Sequence, residues 1–292
     1  MSYMHTRFGA SLNSRSGARE LSIDEVLRAA PSVGAVEAHE SRSARYSYIP
    51  TRAILEGMMA EGFYPVLARQ GGTRVPGKAN FTKHMLRMRH RSQEFTQGAA
   101  IREIVLLNSH DGTSCYHLQA GLFRVVCLNG LIAGDAYRAV KVPHKGNIRD
   151  MVIEGAFEVL AETKRAVETA TEWQAITMNR DEQLVLADAA HLLRFPAEAE
   201  ETEAERLARV PVAPDRLLET RRMDDRAADL WTVSNVVQEN VIRGGQRGRT
   251  TNAAGQRRRA STREVTGIDQ STALNRALWM VTERMAALKT AA

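Results

Sequence analysis

Apolar positions along the chain change period more than once, and the changes mark its elements. Ile54, Leu55, Met58 and Met59 recur at helical spacing between Thr51, a candidate N-cap, and Gly62, a natural helix stop. Extended runs follow at 63–70, 81–91, 102–109, 114–121 and 122–131. Gly71-Gly72, Pro76-Gly77 and Asn129-Gly130 punctuate them, and His110-Asp111-Gly112-Thr113 is the strongest hairpin signal. After Gly146 the period returns to 3.6, with Ile148, Met151, Val152, Phe157, Val159, Leu160 and Val167 predicting a long helix to about Met178. Asn179 and Glu182 resemble a capping box before a helix over 183–195, which Pro196 ends. Further helices are predicted over 215–243 and 269–288. The first fifty residues show little period, apart from a short helix over 22–30 that Ser22 and Glu25 could cap.

This order predicts an α+β fold: an antiparallel β-meander of four to five strands with a preceding helix, followed by a mostly helical C-terminal half. Three regions are expected: a flexible N-terminal arm (1–47), a sheet domain (48–147) and a helical region (148–292) with a basic loop at 241–263. A length of 292 residues suits one large domain or two, and 43% hydrophobic with 25% charged residues excludes a wholly disordered or collagen-like chain. No apolar run approaches a membrane span and the N-terminus lacks a signal-peptide core, so the chain reads as soluble and cytoplasmic. Two cysteines, Cys115 and Cys127, are too few for a disulfide framework.

Charge changes the picture. The formal net charge is +6, and 34 of the 40 basic residues are arginine. A GC-rich genome would also enrich Arg, so position matters more than composition. Between Arg69 and Arg102 stand eight basic residues against the single acid Glu94. Strand alternation puts Lys83, Arg87, Arg89 and Arg91 on one face with Met85, at intervals of about 7 Å that suit the phosphates of an extended nucleic-acid strand. A solvated outer face that blocks aggregation is the alternative. The stretch 241–263 carries Arg243, Arg247, Arg249, Arg257, Arg258, Arg259 and Arg263 with no acid, on a Gly-Ser-Thr background that predicts a flexible loop. It reads as a clamp on nucleic acid, or else as a linker or a tether to the glutamates of 197–206.

Chemistry is harder to find. Cys115, His117 and Cys127 lack the spacing of a zinc site, so no metal or cofactor is expected. No P-loop, dinucleotide-binding glycine pattern, nucleophile elbow or zinc-protease motif is present. His110 and Asp111 could form a general-base pair, but Asp-Gly in a hairpin turn is explained by backbone geometry. No catalytic residue is assigned, and a non-enzymatic protein is expected.

The succession NFTKHMLRMRH, EIVLLNSHDGTSCYHLQAGLFRVVCLNGLI and the later VIRGG resembles the phage- and plasmid-associated family catalogued as domain of unknown function nine-three-two. The resemblance runs from about Tyr48 to Met285 and is most specific at the Asn-Ser-His-Asp-Gly turn, Arg124 and Cys127-Leu128-Asn129-Gly130. It implies carriage on mobile elements and supplies no active site. A helix feeding a basic antiparallel meander is also similar in topology to single-strand annealing proteins of the Rad-fifty-two and Red-beta type, a fold-level likeness only. Together these predict a plasmid- or phage-encoded protein that binds single-stranded DNA, for annealing or protection, with homo-oligomers in keeping with that analogy. Tyr46, Tyr48 or Phe63 would stack on bases. The rival is an anti-defence or regulatory protein docking on an acidic host protein.

Overall fold

Glu25 N donates to Ser22 Oγ (3.2 Å) and Ser22 N donates to Glu25 Oε2 (2.9 Å), the reciprocal box that their spacing predicts, and α1 (Ile23–Ala29) starts there. In the computed structural model the described residues are 19–40, 48–92, 100–124, 130–132, 139–144, 147–252 and 255–291. The chain divides into two compact units, Met1–Val167 and Glu168–Ala292.

In the first unit α2 spans Thr51–Ala60. Pro50, whose ring fixes φ, takes the N-cap position, and Thr51 is the first helical residue with no capping bond from its side chain. Strands β1 (Phe63–Gln70), β2 (His84–His90), β3 (Ala100–Asn108) and β4 (Tyr116–Arg124) follow as an antiparallel meander in chain order. The two runs expected between 114 and 131 are one continuous β4 followed by β5 (Gly130–Ile132). A strand without a sequence signal, β6 (Val140–Val142), also pairs with β4. β5 lies opposite Gly121–Phe123 and β6 opposite Tyr116–Leu118, so two short strands share one edge.

The register puts Leu86, Met88, Ile104, Leu106, Leu118, Ala120 and Leu122 on one face, all fully or almost fully buried. The first half of α3 (Ile148–Gln174) covers it in part: Phe157 meets Phe63 edge-on at 5.1 Å, and Gly155 fits against Val140 and Leu118. This is the α+β meander, with its preceding helix and helical second half, that the hydrophobic pattern predicts.

The second unit holds the end of α3 with α4 (Arg180–Arg194), α5 (Glu203–Arg209), α6 (Leu230–Arg243) and α7 (Ile268–Ala291). Asn179 and Glu182 make their capping box at the start of α4. The single helix expected over 215–243 is instead two 3-10 turns, Pro214–Leu218 and Met223–Asp225, and then α6, which Asp229 caps by accepting from Thr232 N (2.8 Å). Helix α6 is buried on every side from Leu230 to Ile242. Its polar residues are paired: Gln238 donates to Asn275 (2.7 Å), and Asn240 to the carbonyls of Leu217 and Glu219 (2.9 Å each). Trp173, Trp231 and Trp279 cluster in the same core. Residues 247–251 and 257–261, expected to be part of a flexible loop, form an antiparallel ribbon of β7 (Arg247–Thr251) and β8 (Arg257–Ser261). Among the described residues no helix is long and apolar enough to cross a membrane.

Candidate nucleic-acid interface

The arginines singled out from the sequence fall into two groups with opposite fates. In the first unit, alternation does put Arg87 and Arg89 on the same face of β2, but that face is covered. Arg87 is 6% exposed, Arg89 3% and Glu103, on the adjacent strand, 0%. Arg87 Nε donates to Glu103 Oε2 (2.5 Å) and Arg89 Nε to Glu103 Oε1 (2.9 Å). The Arg87 guanidinium also lies 3.2 Å from the Phe123 ring centroid. Gly121 makes room for this stack, since a Cβ there would stand 2.6 Å from the Phe123 ring. Burial pulls the Arg87 pKa below its usual value against the attraction of Glu103. These two residues are internal structure, which corrects the expectation that they grip phosphates. Arg91 is exposed but its Nη2 donates to both carboxylate oxygens of Glu20 (2.9 and 3.0 Å), and Lys83 is half-buried with an interaction of its own. Phe63, expected to stack on bases, is buried against His90 and Phe157. Tyr48 donates its hydroxyl to the Ala35 carbonyl, while Tyr46 and Cys127 lie outside the described residues.

In the second unit, the ribbon register pairs Arg247 with Ser261, Arg249 with Arg259 and Thr251 with Arg257. Because side chains alternate, Arg247, Arg249, Arg257 and Arg259 share one face with Thr251 and Ser261. All four arginines are exposed, and among the described residues no carboxylate pairs with them. The opposite face carries Gly248, Thr250, Arg258 and Ala260. It is the inner face at its base, because a Cβ on Gly248 would stand 1.6 Å from the Pro211 carbonyl oxygen. Arg258 is exposed as well.

Anchors hold the ribbon to the unit. Arg249 N donates to Pro211 O (2.9 Å), and its N–H therefore points away from β8. Arg249 and Arg259 thus form a non-hydrogen-bonded pair, the type in which facing Cα atoms approach to about 4.5 Å. The 210–212 segment is fixed in turn by His191, whose Nε2–H donates to the Val212 carbonyl (2.9 Å) while Nδ1 accepts from Arg206 (2.9 Å). Desolvation holds the His191 pKa below its usual value, in keeping with this neutral tautomer. At the other end Val265 N donates to Ile242 O (2.8 Å) and Arg194 Nη2 to Arg263 O (3.2 Å). Gly244, at φ +62, packs within 2.7 Å of the Arg263 backbone at its Cβ position, so only glycine fits the turn out of α6.

Two further expected contacts are corrected. Arg243 is tied to Glu239 (3.0 Å), which Arg222 also grips bidentately (2.6 and 2.7 Å). Burial works to raise the Glu239 pKa, but the Arg222 hydrogen bonds and charge outweigh it and keep the carboxyl ionised. The glutamates of 197–206 do not tether the ribbon: Glu198 and Glu201 pair with Arg209. Arg263 is exposed just beyond β8.

A polar constellation in the first unit was missed from the sequence. Thr51, His84, Asn108, His110 and Tyr116 are all 0% exposed and meet at one hydroxyl. His84 Nδ1 lies between Ser32 Oγ (3.0 Å) and the Thr82 carbonyl (3.2 Å), which can only accept; with the proton on Nδ1, Nε2 accepts from Thr51 Oγ1 (2.9 Å). Asn108 Nδ2 (3.1 Å) and His110 Nε2–H (3.0 Å) then donate to the two lone pairs of Thr51. Tyr116 gives its proton to the Ile49 carbonyl (3.1 Å). Both imidazoles are neutral in this arrangement, which leaves His110 Nδ1 buried with no hydrogen-bond partner among the described residues. Desolvation lowers the pKa of His84 to about 4 and, together with the nearby His84 and His144, that of His110 to about 3. A hydroxyl between two imidazoles resembles nucleophile chemistry, but a fully buried Thr51 holds the α2–sheet junction together and is closed to substrate. The readable signal was the polar run 108–111 ending an apolar strand. Asp111 stays in the turn, accepting from Thr113 N (3.0 Å) and paired with Lys78 (3.1 Å). Among the described residues no group of three His, Cys, Asp or Glu could hold a metal ion.

Comparison with known proteins adds a family. Residues 38–279 match the model described as Domain of unknown function (DUF932). The chain is 44% identical over 285 residues to the UPF0380 protein YafZ of Escherichia coli (strain K12), and 43% identical to the UPF0380 protein YfjQ of the same strain, covering 98% of both chains in each case. No solved structure matches.

Proposed function

For this chain, which belongs to the DUF932 family of unknown function, we propose nucleic-acid binding, without catalysis, through the outer face of the β7–β8 ribbon. The observation that carries it is the set of four exposed guanidiniums, with no ion pair among the described residues, on one face of a ribbon fixed to a packed unit. Like charges directly opposite one another in a sheet destabilise it, and Arg249 faces Arg259 with no acid between them. The fold gains nothing from that pairing, whereas a polyanion would relieve it. Some exposed arginines elsewhere are matched: Arg19 with Glu25, Arg52 with Glu56, Arg91 with Glu20 and Arg209 with Glu201. Others, such as Arg74, Arg149, Arg180 and Arg284, have no ion pair among the described residues; what sets the ribbon apart is four on one face. Guanidiniums two residues apart on a strand sit about 7 Å from one another, and their forks suit phosphate oxygens.

The test is fluorescence anisotropy with labelled single- and double-stranded oligonucleotides, on the intact chain and on Arg257→Ala/Arg258→Ala/Arg259→Ala. Binding that falls steeply with salt and is lost in the variant is expected. Binding that is absent from the intact chain, or unchanged in the variant, would remove the proposal.

A further inference from the structure

Resting on that proposed function, we infer that the nucleic acid is duplex DNA and that the outer face of the β7–β8 ribbon lies in its major groove. The shape of the ribbon comes first. Each strand has five residues, so the ribbon is about 15 Å long and can follow roughly four base-pair steps. A groove about 12 Å wide admits a two-stranded ribbon. The ribbon is anchored along the outer edge of β7, where Arg249 N donates to Pro211 O, and at Gly248 on the opposite face, and the four arginines of the outer face are exposed.

The chemistry of the face comes second. It presents Arg247, Arg249, Arg257 and Arg259 with Thr251 and Ser261, which are base-edge and phosphate donors and include no aromatic residue. Single strands are held by stacking unpaired bases on aromatic rings, and the three tryptophans of this unit are 0–3% exposed in its core. Paired bases need no stacking partner. Double-stranded RNA fits poorly, because its major groove is too deep and narrow for side chains to read. Arg249 and Arg259, the closest facing pair, stand at the middle of the ribbon, where a groove-bound face points at base edges, and arginine recognises the O6 and N7 of guanine with a bidentate fork. Arg258, on the other face, and Arg263, beyond the strand, are left for flanking phosphates.

The experiment compares anisotropy affinities of the full chain for a random-sequence duplex and for each of its single strands, with dimethyl sulfate probing of guanine N7 in the bound duplex. Expected are at least tenfold tighter binding of the duplex and protection of N7 in a window of about four base pairs. In Arg249→Lys/Arg259→Lys, charge is kept and the fork is lost. That variant is expected to keep most of its affinity and lose the N7 protection. Preference for single strands, or duplex binding with N7 fully reactive, overturns the groove assignment while leaving nucleic-acid binding in place. If neither form binds, the failure lies with the proposed function itself.

Discussion

Strand β2 and the β7–β8 ribbon carry arginines at the same two-residue spacing, yet Arg87 and Arg89 lie under 10% exposed while Arg247, Arg249, Arg257 and Arg259 are open to solvent. The difference lies in the residues between and across from them. In β2 the alternate positions are Leu86 and Met88, which draw the strand into the sheet interior, and Glu103 on β3 offers one oxygen to each guanidinium. In the ribbon the alternate positions are Gly248, Thr250, Arg258 and Ala260, which cannot make an apolar layer, and no carboxylate faces the arginines among the described residues. An Arg-x-Arg pattern thus marks a surface only where its companions are too small or polar to be buried.

The comparison breaks most sharply at Glu103. Glu103→Ala would leave two guanidiniums buried without a counter-charge, which costs roughly 3–5 kcal/mol in comparable cases. Chemical denaturation should show a loss of that order, whereas Arg249→Ala/Arg259→Ala should leave stability unchanged or raise it by about 0.2–1 kcal/mol by relieving like-charge opposition. A tolerated Glu103→Ala would mean that the β2 arginines are solvated.

Acid separates the regions next. His84 and His110 have folded pKa values of about 4 and about 3, depressed below the unfolded value near 6.5. The unfolded chain therefore binds more protons as pH falls, so their stabilising contribution is complete above about pH 6.5 and is lost on the way down to the folded values. Each histidine contributes about 1.4 kcal/mol per pH unit across that window. Urea midpoints measured from pH 7 to pH 4.5 should fall steeply in the intact chain. In Thr51→Val, already weakened, they should fall from a lower start. Arginines do not titrate there, so the ribbon's charge stays constant; flat midpoints would mean that the histidines are hydrated.

Smaller still is the effect of lifting the ribbon from its seat. Gly248→Val would force the side chain into the Pro211 carbonyl, and overpacking of this kind costs roughly 1–3 kcal/mol. Hydrogen exchange should rise at the amides of 247–251 and 257–261 and remain as before on the β-meander. An unaltered exchange pattern would show that the ribbon is not held by this contact.

Much of the fold was legible because its apolar residues keep time. β1 begins and ends where alternation predicts, and both capping boxes stand at Ser22–Glu25 and Asn179–Glu182. What escaped reading had weak or misleading local signals. β6 is three residues long and is defined only by its partner β4. The ribbon lacks hydrophobic alternation, so it read as a loop, although Asn252 and Gly255 between two short runs were a turn signal: Gly255 N donates to Asn252 O (2.9 Å). Helix α6 carries Ser234, Asn235, Gln238, Glu239 and Asn240, which on sequence suggest a wet face; all are buried, with tertiary partners for Ser234, Gln238, Glu239 and Asn240, while Asn235 donates back to the Trp231 carbonyl of its own helix. The site was half legible for the same reason: charge could be counted along the chain, but Glu20 and Glu103, which neutralise Arg91 and the pair Arg87 and Arg89, come from elsewhere in the sequence, whereas Glu239 stands one helical turn before Arg243.

The most direct test is the salt dependence of duplex affinity for the intact chain and for Arg247→Ala/Arg249→Ala/Arg257→Ala/Arg259→Ala. If Arg247 and Arg257 each neutralise one phosphate while Arg249 and Arg259 meet base edges, the slope of log affinity against log salt should become shallower by about 1.8 in the variant, with affinity at low salt reduced by orders of magnitude. An unchanged slope and affinity would place the binding charge elsewhere on the molecule and contradict the ribbon as the interface.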